Sequence, residues 1–208
     1  MGVHDLDTMK AVRKALDQVN PDIMVYGEGW TGGESALPAA QQATKNNIYR
    51  LDRVGAFSDD IRDGIKGSVF DFLDKGFVSG KDNMEENIKF SVVAATPHSQ
   101  VTLTKAGDKC TNWSGQPGQS INYISCHDNL TFWDKLAISN ADDSEADRVK
   151  MNKLGSAVLF TSQGVPFMQL VKRCFALSQM RSLRLDLMRT AILPLMQRTA
   201  LSGIIKVT

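Results

Sequence analysis

The chain has 208 residues, 42% of them hydrophobic, with 24 Lys and Arg against 23 Asp and Glu and a net charge of +1. That is enough apolar material for one sizeable core, and so even a charge balance gives no reason to expect nucleic acid or an anionic membrane as partner. No apolar run approaches a membrane span, the first residues MGVHDLDTMK lack a signal-peptide pattern, and Leu6 stands where a myristoylation site needs Ser or Thr.

Asp5 or Asp7 can cap a helix over about residues 8–19, with Met9, Val12, Leu16 and Val19 as its apolar positions. Asn20-Pro21 ends it. Residues 22–26 read as a short buried strand, and Glu28 follows at its carboxyl end. Gly32, Gly33 and Pro38 mark a loop, 41–47 reads as a short helix, and 54–57 as a second strand followed by the acidic stretch 58–63. Residues 64–90 are mixed, with a turn at 80–83. The stretch 107–119 is a long loop rich in Gly, Ser, Asn and Pro. Residues 121–125 form a third strand candidate, with Cys126-His127-Asp128-Asn129 directly after it. Asp142, Asp143 or Ser144 can cap a helix over about 145–160, whose apolar face holds Val149, Leu154 and Val158. A further short strand is read within 164–169. Helix, short strand, then polar residue at the strand's carboxyl end is the grammar of an α/β parallel sheet. Repeated, it points to a (β/α) barrel, whose chemistry gathers at that end.

Three strand tips carry candidate groups. Glu28 stands between Gly27 and Gly29 with Trp30 beside it. Glycine permits the close approach that a ligand site needs. An indole offers a face for stacking a sugar, and an acid held against one suits a general acid. The second tip is the 57–60 region. The third is His127-Asp128. Adjacent side chains on an ideal strand point to opposite sides, so these two are not expected to form a hydrogen-bonded dyad, although both can reach a substrate. His4 and His98 read as solvent or packing residues. Cys110, Cys126 and Cys174 form no CxxC pair, which argues against a disulfide framework or a zinc signature. No GxSxG, HExxH, P-loop or GxGxxG occurs. No cofactor or metal is assigned; calcium stays open, because 58–63 has no fixed ligand spacing.

Four stretches together resemble type I pullulanase, the debranching branch of the α-amylase superfamily (glycoside hydrolase family 13). They are YGEGW at 26–30, AFSDDIRDGIKGSVFD at 56–71, INYISCHDNLTFWDKL at 121–136 and QGVPFMQ at 163–169. The resemblance runs in order from residue 1 to 169. It implies the C-terminal half of a (β/α)8 TIM barrel and retaining hydrolysis of α-1,6-glucosidic linkages in pullulan, glycogen and starch dextrins. Its partner is an α-glucan. It further implies that Glu28 is the general acid/base, that Asp128 is the carboxylate that stabilises the transition state, and that His127 hydrogen-bonds the sugar. Trp30 matches an aromatic lining the cleft. The family's nucleophilic Asp lies in a segment of the form RFDLMG, whose end the opening MGVHD resembles. That Asp is expected just before Met1, so the chain alone is expected to be inactive. A half barrel also exposes strand edges and apolar surface, which predicts poor solubility. The alternatives are a non-catalytic carbohydrate-binding remnant and another family 13 activity such as isoamylase or α-amylase.

The match stops after Gln169, where the family continues AGEE. The chain instead reads LVKRCFALSQMR. Codons exist for that stretch which, read one base back, spell AGEEMLRSKPNA. Residues 170–208 are therefore expected to be an out-of-frame tail after a partial catalytic barrel domain at 1–169. No compartment is assigned.

Overall fold

A computed structural model describes residues 1–107 and 110–169. The expected tail at 170–208 lies outside these residues.

Helix α1 spans Leu6–Val19, and the Asp5 carboxylate caps it by accepting from the Thr8 N–H at 2.8 Å. Its buried stripe is Leu6, Met9 and Arg13, so Val12 and Val19, expected on the apolar face, are exposed instead. Arg13 occupies a core-facing position because its charge is matched there. It pairs with Asp17 at 2.7 Å and donates to the Ile23 carbonyl. That contact, with the Ile23 N–H donating to Asn20, holds residues 20–23 in a turn. Strand β1 therefore begins late, at Val25–Gly27 rather than at residue 22.

The connection to β2 (Val54–Ser58) has two 3-10 turns, Ala39–Gln41 and Lys45–Arg50, where one short helix was expected. The break falls where Gln42 bridges Asp5 and the Ala43 N–H donates to His4. Ser58 caps α2 (Asp59–Lys66). Helices α3 (Glu85–Val92) and α4 (Leu103–Ala106) precede the long loop to β3 (Ser120–Asn122). Helices α5 (Phe132–Ser139) and α6 (Glu145–Thr161) lead to β4 (Val165–Pro166). Strand β3 is shorter than expected, because β2 turns into α2 at Asp59 and Pro166 has no N–H to extend the ladder.

The four strands form one sheet in the order β1-β2-β3-β4, every neighbouring pair parallel. The fold class is thus α/β. One core packs α1, α3 and β2 around Phe90, Ile48, Leu51 and Trp113. A second packs α2, α5 and α6 around Ile61, Ile65, Phe132, Leu136 and Leu159. On α6 the face turned inward carries Gly155 and Leu159, while Leu154, expected to be apolar and inside, is 47% exposed. On the sheet itself, Tyr26, Phe57, Tyr123 and Phe167 form a run of edge-to-face rings, with Phe57 5.8 Å from Tyr26 and 5.2 Å from each of the others.

Gly155 is where α6 meets α5. A Cβ there would lie 2.6 Å from Phe132 Cε1 and 3.0 Å from Ile65 Cγ2. Replacing Gly155 by Val is expected to lower stability by about 1–3 kcal/mol through overpacking. Urea unfolding checks this; an unchanged midpoint would mean that α5 and α6 are not packed this way.

Candidate active site

Because all four strands are parallel, their carboxyl ends lie on one edge of the sheet. Glu28 follows β1 directly, Asp59 and Asp60 open the helix after β2, and His127 and Asp128 lie in the loop after β3. With adjacent strands about 4.8 Å apart, the β1 and β3 tips stand roughly 10 Å from one another. The Tyr26, Phe57 and Tyr123 rings span that interval. Tyr123 is fixed by Arg62 Nη1, which donates to its hydroxyl at 2.6 Å. Burial pushes its phenol well above the usual range.

Glu28 is half-buried, and Trp30 is 38% exposed. Gly2 N–H donates to the Glu28 carbonyl at 3.1 Å, and Lys45 N–H to the Gly29 carbonyl at 2.6 Å. A Cβ on Gly29 would lie 2.8 Å from Lys45 N, and one on Gly27 3.4 Å from Met1 Cβ. Gly29 thus admits the chain's own backbone at Lys45, whereas a side chain at Gly27 would make only an ordinary contact with Met1.

Beside Glu28 is a charged cluster that sequence reasoning missed. The Lys45 ammonium pairs with Asp59 and, at 3.1 Å, with Asp60. Trp113 Nε1 donates to the same Asp60 oxygen at 2.8 Å, and Lys45 sits 5.5 Å from the Trp113 ring centroid. Burial pulls the Lys45 ammonium toward neutrality, but the two carboxylates more than reverse this and hold its pKa above the ordinary 10.5. Burial raises the Asp60 carboxyl against the opposing pull of Lys45. The Asp59-Asp60 tip was legible as a polar strand end. Its partners were not, since Lys45 lies 15 residues and Trp113 53 residues from Asp60.

His127 and Asp128 are both exposed, and His127 Nε2 lies 3.4 Å from Asp128 Oδ2. They approach to that distance without a hydrogen bond between them, so the expectation that they form no hydrogen-bonded dyad holds. β3 has ended at Asn122, and Asn129 turns the chain at φ +64°. The Cys126 thiol faces the Asp128 carbonyl at 3.6 Å. Behind the loop, Phe132 N–H donates to Ser125 Oγ at 2.9 Å, and the buried Lys66 ammonium to the Leu130 carbonyl at 3.1 Å. Burial, then the charge of Arg62, brings Lys66 down to about 8. Lys66 is a second member of the site region that no sequence pattern flagged. As expected, His4 and His98 are exposed.

No family model matches the chain. It is 28% identical over 179 residues to a pullulanase of Bacillus subtilis (strain 168), covering 86% of this chain and 24% of that protein. It is similar to the crystal structure of a pullulanase from Anoxybacillus sp. LM18-11 complexed with maltotetraose, at TM-score 0.69 and 36% identity, covering 81% of this chain and 22% of that one. It is also similar to a pullulanase from Paenibacillus barengoltzii in complex with maltohexaose and α-cyclodextrin, at TM-score 0.71 and 39% identity, covering 80% and 24%. The chain spans about a quarter of the length of these relatives.

Replacing Lys45 by Met strands the Asp60 carboxylate in a buried setting and is expected to cost about 3 kcal/mol. A folded-state pKa raised above that of the unfolded chain makes the ammonium's contribution complete below about pH 10.5 and lost as pH rises through the raised value. The stability gap between the two proteins should therefore hold at neutral pH and close in alkali. Urea unfolding across that range checks it; a gap that persists undiminished in strong alkali contradicts the ion pair.

Proposed function

We propose that this chain, pullulanase-like over about four fifths of its length, is part of the catalytic barrel of a glycoside hydrolase that cleaves α-1,6-glucosidic linkages with retention. The observation that carries this reading is the placement of Glu28 and of His127-Asp128 beyond two parallel strands, at one end of one sheet and joined by a run of aromatic rings. The strand order, with each strand parallel to the one before it, supports the C-terminal half of a (β/α)8 barrel.

In this reading Glu28 protonates the leaving glycosidic oxygen and then activates water. Asp128 supports the positive charge of the oxocarbenium-like transition state, and His127 hydrogen-bonds the same sugar. Trp30 stacks against the glucan. Retention also needs a carboxylate nucleophile about 5–5.5 Å from the acid. The resemblance puts that Asp outside these 208 residues, so the chain by itself binds α-glucan without cleaving it. The ligands named for the relatives, maltotetraose, maltohexaose and α-cyclodextrin, are α-glucans. A purely sugar-binding role has one observation in its favour, the exposed rings of Trp30 and Tyr26.

Titrating the 208-residue chain with maltotetraose tests the reading. Weak saturable binding is expected, reduced by Trp30→Ala and by Asp128→Asn, with no reducing sugar released from pullulan. Absence of binding would overturn the glucan assignment. Sustained hydrolysis by the chain alone would overturn the missing nucleophile.

A further inference from the structure

The loop after β3 presents three different metal-ligating atoms within a few ångströms. The ligand atoms of Cys126, His127 and Asp128 all lie within 4.8 Å of one another. His127 Nε2 and Asp128 Oδ2 are 3.4 Å apart. A tetrahedral zinc ion, with sulfur at about 2.3 Å and nitrogen or oxygen at about 2.0–2.1 Å, separates its ligands by roughly 3.3–3.6 Å. The His–Asp pair already has that spacing. The Cys126 sulfur lies within 4.8 Å of both, so binding a metal would draw it in to that spacing. The loop beneath is anchored at both ends, by Phe132 N–H on Ser125 Oγ and by Lys66 on the Leu130 carbonyl, and Asn129 sets its turn. Among the described residues Cys110 is buried and Cys126 is the partly exposed thiol. No spaced CxxC or HxxxH pattern announces such a site, because the three ligands are consecutive.

We propose that Cys126, His127 and Asp128 bind a thiophilic divalent cation, zinc by preference, through one sulfur, one nitrogen and one oxygen, with water completing the tetrahedron. Binding takes the thiolate and the neutral imidazole, so the thiol proton is released to solvent. The site rests on these three side chains and is independent of the glycosidase reading. It also means that zinc and a sugar bound at His127 and Asp128 exclude one another wherever that reading holds.

Cobalt(II) added to the full 208-residue chain, with no sugar present, tests this. A thiolate-to-cobalt absorption band in the near ultraviolet is expected to saturate at one equivalent and to bleach when zinc displaces the cobalt. Cys126→Ser should abolish the band. His127→Ala and Asp128→Ala should each raise the cobalt concentration for half saturation by at least about tenfold, since even the loss of an outer-shell partner costs 10–100-fold. All three side chains lie at the surface loop, and circular dichroism of each variant verifies that it folds. No band, or a band of full intensity in Cys126→Ser, overturns the site.

Discussion

Lys45 ties two strand tips together by two different bonds. Its backbone N–H reaches back to the Gly29 carbonyl beyond β1, while its ammonium reaches forward to Asp59 and Asp60 at the start of α2. The first bond requires a residue without a Cβ at 29, and the second requires two carboxylates directly after β2. Trp113, from the long loop before β3, closes the cluster by donating to Asp60 and covering the ammonium. Each member of this cluster is tolerable in a half-buried place only because the others are there. Without Lys45 the Asp60 carboxylate is a stranded charge; without Asp60 the indole N–H loses its acceptor. Glu28 inherits its position from this arrangement, since the residues on both sides of it are held by main-chain contacts.

The strands are only two to five residues long. So short a ladder contributes little by itself, and the sheet is held by what packs on its faces. On the helical side two apolar cores cover α1 to α6. Elsewhere Phe57 gathers Tyr26, Tyr123 and Phe167, one ring from or beside each of the other strands. Such pairs are worth about 0.5–1.5 kcal/mol each beyond their burial. Tyr26 is still 45% exposed, and β1 and β4 form the edges of the sheet. Among the described residues these edges have no partner strand, and edges beside exposed apolar surface favour association with a further strand or another chain.

Much of this was legible in the sequence because it is local. Asp5 and Ser144 cap the helices they were expected to be able to cap, and the strand tips carry Glu28, Asp59-Asp60 and His127-Asp128 where the helix–strand–polar grammar puts them. What failed depends on contacts distant in sequence. The face that α1 buries is set by Arg13 reaching Ile23, and the face that α6 buries by Gly155 fitting under Phe132, so Val12 and Leu154 end up outside. The close approach of Lys45 to Gly29 is likewise invisible in the sequence, because the two lie in separate segments. His127 and Asp128 form no hydrogen-bonded dyad, as expected, although they come within 3.4 Å because the chain has left strand geometry beyond Asn122. Lys66, a charge buried behind the β3 loop, carries no sequence signal, because its partner is a main-chain carbonyl.

Under the proposed function, Glu28 is the acid of a retaining glycosidase. The most direct test of that role grafts residues 1–169 in place of the matching segment of the Bacillus subtilis relative, which restores the rest of a barrel, and measures kcat on pullulan with and without Glu28→Gln. An active chimera is expected, with a kcat that falls by about 10²–10⁴-fold on that substitution, the span of a lost general acid. A folded chimera that hydrolyses pullulan equally well with Gln at that position would contradict that role.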